Sequence, residues 1–241
     1  MRQHNVQDIK DEFIMLAAES NDATEMLEIT NACFIADEPT LFGTLNDSYI
    51  EREWAWYISE SLNVNDIEGT IPTIWKNISA EDGSINSNYG WCQFSDANHN
   101  QFDKAIANLQ ADPTSRQGSM IFTRPTMHED AVKDGMRDFL CTYSHQIMIR
   151  DGKLHYHVYM RSNDAVFGYK NDKVKVITRN LSKMPWEHIP ELKKTAIYTV
   201  IKMIKHGLIM SINVLQLAYV FQWEICIGMQ HLFMYIHNKG N

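Results

Sequence analysis

FLCTYSHQIMIRDGKLHYHVYMR, residues 139–161, decides the fold. Two runs with strand character, 139–150 and 153–161, flank Asp151-Gly152, a favoured two-residue hairpin turn. Closing that hairpin brings Cys141 and Arg161 to its open end, roughly opposite each other. SMIFT (119–123) reads as a further strand just upstream. Before it the period is helical. Residues 8–19 form a short amphipathic helix, and 45–60 (LNDSYIEREWAWYISE) form a stronger one with Tyr49, Glu53, Trp56 and Tyr57 on one face. Residues 98–110 form another, with Phe102, Ala105, Ile106 and Leu109 spaced for burial and Asp112-Pro113 as the stop. Helices followed by long antiparallel strands predict an α+β fold, a mixed or antiparallel sheet with flanking helices.

The 241 residues carry 44% hydrophobic and 11% aromatic side chains, ample for a packed core. A formal charge of −8 argues against direct nucleic-acid binding. Cys33, Cys92, Cys141 and Cys226 have no metal-type spacing, so no metal is expected, and they fit a reduced, cytoplasmic setting. The first residues, MRQHNVQDIKDEF, lack the apolar core of a signal peptide. Charge is uneven along the chain. Residues 1–172 hold 13 Lys/Arg and 27 Asp/Glu, whereas 173–241 hold 9 and 3.

Several side chains could carry chemistry. Cys141, at a strand end, becomes a nucleophile if a cation or hydrogen bonds lower its pKa, and Arg161 is the candidate neighbour. By itself it reads more readily as an inert buried thiol, since free cysteines are commonly buried. Glu53, on an apolar helix face, is either a proton shuttle or a tolerated surface acid. Arg161-Ser162 offers a guanidinium fork and a hydroxyl suited to a phosphate oxygen, and Arg116 lies in a turn after Asp112-Pro113. Asp172 ends the stretch RSNDAVFGYKND; it can accept from an exocyclic amine such as cytosine N4, or serve as a turn residue.

Taken in order, Glu53 in EREWAWY, Trp75 in PTIW, Asn88-Tyr89-Gly90 in INSNYGW, Arg116 in DPTSR, Cys141 in DFLCT, Arg161 through Asp164, and Gly168 resemble the thymidylate synthase superfamily. Within it the chain is most similar to the branch of phage deoxycytidylate (dCMP) 5-hydroxymethyltransferases, over roughly residues 25–172. The resemblance implies a thymidylate synthase-like catalytic domain in 1–172. It implies 5,10-methylenetetrahydrofolate as co-substrate and, for a phage-encoded chain, the host cytoplasm as its location. Cys141 would add to C6 of the pyrimidine, so that C5 attacks the folate methylene. Water would then complete a hydroxymethyl group, with Glu53 positioning it and handling protons. Arg161, Ser162, Asp164 and Gly168 would belong to the nucleotide site, the first two on the 5′-phosphate. Arg116 would be lent across a homodimer. Ile74, Trp75 and Tyr89 would line the folate and base pocket. Asp172 stands where thymidylate synthases carry Asn, which favours dCMP over dUMP, because a carboxylate accepts from N4 and, when protonated, donates to N3. The chain departs from the family at Gln117, in place of a second arginine, and at Thr142, in place of His, the latter agreeing with the dCMP branch. The N-terminal loop shows no equivalent of the family's phosphate-binding basic residue.

Beyond Asp172 the likeness ends, and residues 173–241 form an atypical tail open to three readings. It is a divergent form of the family's W-x-x-G-x-x-H-x-Y-like motif, with Trp223, Gly228, His231 and Phe233 or Tyr235 one residue out of register. Or 206–223, free of Asp, Glu, Lys and Arg, is a membrane helix of marginal length, diluted by Ser211, Asn213, Gln216 and Gln222. Or the tail is translated out of frame. Shifted by one base, codons allowed for Gln222 to His237 spell a stretch similar to that motif, and a shift also accounts for the lost acidic residues. A dUMP hydroxymethylase, a thymidylate synthase and an inactive nucleotide-binding homologue are the alternative functions.

Overall fold

The computed structural model describes residues 4–21, 26–150, 153–175, 226–227 and 233–236. The chain opens with β1 (His4–Asn5) and α1 (Val6–Glu19). Asn5 and Asp8 form a reciprocal capping box across the first turn, and Val6, Ile9 and Phe13 are buried. The helix therefore begins two residues before the start expected at residue 8. β2 (Leu27–Ile29) and β3 (Phe34–Ile35) follow. α2 (Asp47–Ile58), capped by the Asn46 side chain on the Tyr49 N–H, buries Ile50, Glu53, Trp54, Trp56 and Tyr57. Short helices α3 (Thr73–Ile78) and α4 (Tyr89–Phe94) lead to α5 (Gln101–Ala111). The expected apolar face of α5 is buried in full. Its start lies three residues later than the sequence pattern indicated, because His99 (φ 63°) and Asn100 (φ 43°) are both left-handed and break the helical path.

β4 (Ser119–Ile121) and α6 (Met127–Asp130) precede the long hairpin, β5 (Thr142–Arg150) and β6 (Lys153–Met160). The two strands pair antiparallel from Thr142↔Met160 to Arg150↔Lys153; Asp151 and Gly152, the expected turn, lie outside the described residues. β7 (Ser162–Asp164) and α7 (Gly168–Lys175) come next, then β8 (Cys226–Ile227) and β9 (Phe233–Ile236). Among the described residues these form three three-stranded sheets, in the orders β1-β3-β8, β2-β9-β7 and β4-β5-β6. The mixture is antiparallel except for β1 with β3 and β7 with β9, so the α+β expectation holds. β8 and β9 both come from the sequence tail. The apolar run 206–223, and Trp223, Gly228 and His231, lie outside the described residues. Among the described residues no helix is long and apolar enough to cross a membrane, and no group of three or more His, Cys, Asp or Glu is placed to hold a metal ion.

Two apolar cores carry the structure. The larger joins α1, α5 and the buried face of the β4-β5-β6 sheet; the smaller holds Trp54, Trp56, Tyr57, Val64, Ile67, Trp75 and Ile85. Tyr89 packs against both. Gly90 follows it in close contact with α2: a Cβ there would lie 1.8 Å from the Tyr57 carbonyl oxygen. Only glycine lets α4 dock at that distance, and that docking sets Tyr89 at the seam.

Candidate active site

The sequence places residues 139–141 in the first strand of the hairpin, but the ladder begins only at Thr142, with a register shift between Thr142 and Ser144. The reason is that side chains claim the backbone there. The Tyr89 hydroxyl accepts from the N–H of Cys141 (3.2 Å) and of Thr142 (3.4 Å). The Arg161 guanidinium donates from Nη2 to the Phe139 carbonyl (2.9 Å) and from Nε to that of Leu140 (3.1 Å). The Arg161 N–H donates to the Cys141 carbonyl at 2.8 Å. Cys141 thus leaves the sheet at its open end, and the register shift between Thr142 and Ser144 sets it opposite Arg161, where an unbroken ladder would place Thr142.

Around its sulfur, Arg161 Nη2 stands at 3.5 Å and Ser162 Oγ at 3.7 Å, and Arg161 Nη1 donates to Ser162 Oγ at 3.2 Å. The expectation that the cation lowers the thiol pKa needs correcting. Burial pushes the Cys141 thiol up, and Arg161 and Ser162 pull it down without overcoming the cost of desolvating a thiolate. The Asp172 carboxylate also raises it, which places the two side chains within electrostatic reach of each other.

Glu53 is 2% exposed, so the face reading of α2 gives a buried acid. It accepts from Trp75 Nε1 at 2.9 Å and from the Tyr49 hydroxyl, and Trp75 Nε1 also reaches the Tyr49 oxygen at 3.0 Å. Burial first, then the neighbouring Glu53 charge, drive the Tyr49 hydroxyl far above its ordinary value. Tyr57 and Tyr89 are raised as well, by burial first; Glu53 and Asp172 add for Tyr57, Cys141 and Asp172 for Tyr89. Three protonated phenols therefore stand within electrostatic reach of the carboxylate on α7, two of them also near the acid on α2 and the third near the thiol at the hairpin end.

Glu53, Trp75, Tyr89, Cys141, Arg161, Ser162 and Asp172 are brought together. Arg116 is not: it lies exposed in the loop before β4, where its carbonyl accepts from Gln146. Ile74 is 58% exposed beside the buried Trp75. The Asp164 carboxylate is spent on its own turn, accepting from the N–H of Val166 (2.7 Å) and Phe167 (2.5 Å). Gly168 begins α7 with its Cα against Asn163.

Two residues within the stretches that carry the resemblance received no role from the sequence. Asp138 is 3% exposed and accepts from the N–H of Asn86 and Ser87, each at 2.7 Å, and from the Ser87 hydroxyl. It ties the segment carrying Tyr89 to the segment carrying Cys141. Burial raises its carboxyl pKa against those donors. An acid set in the apolar run MRDFLC was the available signal. Asn163, buried on β7, was the other; its amide donates to Asp172 at 3.3 Å.

Comparison with known proteins places the chain among relatives. Over 146 residues the chain is 53% identical to the deoxycytidylate 5-hydroxymethyltransferase of Enterobacteria phage T4, a match covering 61% of this chain and 59% of that protein. The chain thus spans less than two thirds of the length of that relative. It is 32% identical over 125 residues to the thymidylate synthase of Bacillus atrophaeus, covering 49% of this chain and 52% of the other. The solved thymidylate synthase of T4 phage shares the fold at a TM-score of 0.54 with 19% identity, over 71% of this chain and 67% of that one. The thymidylate synthase family model matches residues 44–193, past Asp172 and over more than half of the sequence, and with this fold it makes the chain a member of the thymidylate synthase family.

Proposed function

We propose that the chain transfers a one-carbon unit to C5 of dCMP, with hydration to 5-hydroxymethyl-dCMP. The observation that carries this reading is the pairing of Cys141, edged by Arg161 and Ser162, with a carboxylate at position 172. The first is the arrangement of a nucleophile whose thiolate has two donors waiting; the second is a group suited to cytosine N4. Identity of 53% to a named deoxycytidylate hydroxymethyltransferase supports the same choice of base.

In this reading Cys141 attacks C6 and Asp172 holds the base edge. Glu53, fixed by Tyr49 and Trp75, orders the water and moves protons. Arg161 and Ser162 hold the 5′-phosphate. The co-substrate 5,10-methylenetetrahydrofolate supplies the one-carbon unit. Exposed Ile74 beside the buried Trp75 indole, with Tyr89 at the seam, fits a flat, partly apolar ring system. We read the active form as a homodimer in which exposed Arg116 reaches the other subunit's phosphate, working in the host cytoplasm. Residues 1–172 are the catalytic domain, and 173–241 are a divergent or out-of-frame tail; the coding DNA around codons 165–180 decides between those two.

The test is tritium release from dCMP and dUMP labelled at C5, with methylenetetrahydrofolate present. Faster release from dCMP is the expected result. Faster release from dUMP makes the chain a dUMP-directed enzyme instead. The second reading, an inactive nucleotide-binding homologue, is favoured by the sequence beyond residue 193, which lies outside the family match. It predicts nucleotide binding with no release from either label.

A further inference from the structure

Asn163 has no role assigned above, and Gly168 only a general place in the nucleotide site; the structure sets both against Asp172. Asn163 is 6% exposed, on the strand that begins one residue after Arg161. Its Nδ2 faces two acceptors, Asp172 Oδ2 at 3.3 Å and Met160 Sδ at 3.3 Å. Two acceptors on one side fix the amide with its NH2 toward Asp172 and its oxygen away. That oxygen points at Gly168, where a Cβ would come within 2.3 Å of it. Any other residue at 168 must push the amide aside. Gly168 therefore leaves room for Asn163, and Asn163 holds the carboxylate.

We infer that Asn163, seated over Gly168, is a positioning residue that sets the dCMP-over-dUMP preference by orienting the Asp172 carboxyl. The inference rests on the proposed reading of Asp172 as the base-selecting group. Its chemistry is that of an asymmetric carboxyl. An N–H on Oδ2 keeps that oxygen an acceptor, able to take the cytosine N4 hydrogen as well. When Asp172 carries a proton, the proton then resides on Oδ1, the oxygen able to donate to cytosine N3. Uracil offers the opposite pattern, an O4 acceptor and an N3 donor, and is refused by the same orientation. With the amide gone, Oδ2 loses the donor that sets it apart from Oδ1, and the two patterns are less well distinguished.

The experiment measures dissociation constants of dCMP and dUMP for the full chain by calorimetry between pH 6 and pH 8. The variants are Asn163→Asp, Asn163→Ser and Gly168→Ala. Asn163→Asp keeps the shape but replaces the donor with a second carboxylate. Among the described residues the Asp172 charge acts on Tyr49, Tyr57, Tyr89 and Cys141, all with raised pKa values, so those four stay protonated across this range. At pH 8 the dUMP-to-dCMP ratio of dissociation constants falls roughly tenfold, the worth of one hydrogen bond to a charged group. It recovers toward pH 6 as the two carboxyls come to share a proton. Asn163→Ser, too short to reach Asp172, and Gly168→Ala, which displaces the amide, lose the ratio at every pH. A wild-type preference for dCMP that all folded variants retain overturns the role of Asn163 and leaves the substrate reading standing. A wild-type chain that binds both nucleotides equally overturns both. Melting temperatures identify the folded variants, and any one of the three suffices, because a merely structural role would move stability and not the ratio.

Discussion

The middle of the β4-β5-β6 sheet and its open end show what burial does to a titratable side chain when its neighbours differ. His145 lies in the middle of β5, packed against Phe122 and Tyr156, with its Nδ1 2.8 Å from the Tyr156 hydroxyl. Burial alone drives its pKa down to about 3. Cys92, on α4 in the same core, is pushed up to about 12, again by burial first. Cys141, four residues before His145, also pays for burial, but two donors stand at its sulfur and oppose the cost. The interior holds its groups neutral and inert. The end of the hairpin keeps a thiol near a cation and a hydroxyl, and it can do so because residues 139–141 have left the ladder.

The sharpest way to break this contrast is to exchange sulfur for oxygen at both cysteines. Cys141→Ser should lower tritium release from C5-labelled dCMP by at least about a thousandfold, as loss of a covalent nucleophile does. Cys92→Ser should leave it within a few fold, after correction for the folded fraction. Equal losses at the two positions would mean that sulfur at the hairpin end is no more than packing.

The next largest effect concerns the interior. His145 is neutral in the folded chain and has an ordinary affinity for protons when unfolded. Its folded pKa is the lower of the two, so the stability it contributes is complete above about pH 6.5. That stability is lost as pH falls from there toward 3. The loss is on the order of a few kcal/mol, the scale of a buried histidine that must stay uncharged. Melting temperature followed from pH 7 to pH 4 should therefore drop steeply in the wild type. In His145→Gln, which keeps a polar partner for Tyr156 but cannot protonate, it should drop less. Identical acid limbs would show that His145 gains a proton partner in the fold.

Much of this contrast was legible in the sequence, and the rest was hidden for physical reasons. A period of two and an Asp-Gly turn place Cys141 near Arg161 at the open end; the turn alone would pair Thr142 with Arg161, and the register shift between Thr142 and Ser144 brings Cys141 opposite it. Helical spacing puts Glu53 among the buried aromatics of α2, and the structure finds it there. Both signals are local. What local periodicity does not carry is a polar contact across long sequence distances. Asp138 reaches residues 86 and 87, and Tyr89 reaches Cys141 and Thr142. Those contacts explain why the ladder stops at Thr142, and no pattern within 139–150 could show it. The pairing of β7 with β9 spans about 70 residues of sequence, and β9 has only four residues to announce itself. Asn163 escaped for a third reason. Beside Arg161, Ser162 and Asp164 it reads as one more polar residue of a loop, and only its burial against Gly168 and Asp172 separates it from them.

The smallest effect is the most specific test of the open end. Ser162 Oγ lies 3.7 Å from the Cys141 sulfur, a long contact whose strength grows when the thiol ionises. Ser162→Ala removes that donor and leaves the Arg161 guanidinium with its grip on the carbonyls of Phe139 and Leu140. The thiol pKa should rise slightly, because a donor that favours the charged form is gone. Alkylation of Cys141 by iodoacetamide should then slow by about two- to fivefold near neutral pH, where reaction follows the small thiolate fraction. At high pH, with the thiol ionised in both proteins, the two rates should converge. Cys33 is exposed and reacts in parallel, so the modification is followed peptide by peptide in a mass spectrometer. A uniform slowing at all pH values would instead mean that the hydroxyl governs access to the sulfur, and no slowing at all would leave Arg161 as the neighbour that lowers its pKa. The same measurement on Cys92 supplies the interior reference: buried and carrying neither donor, its modification should follow unfolding of the chain and be indifferent to residue 162.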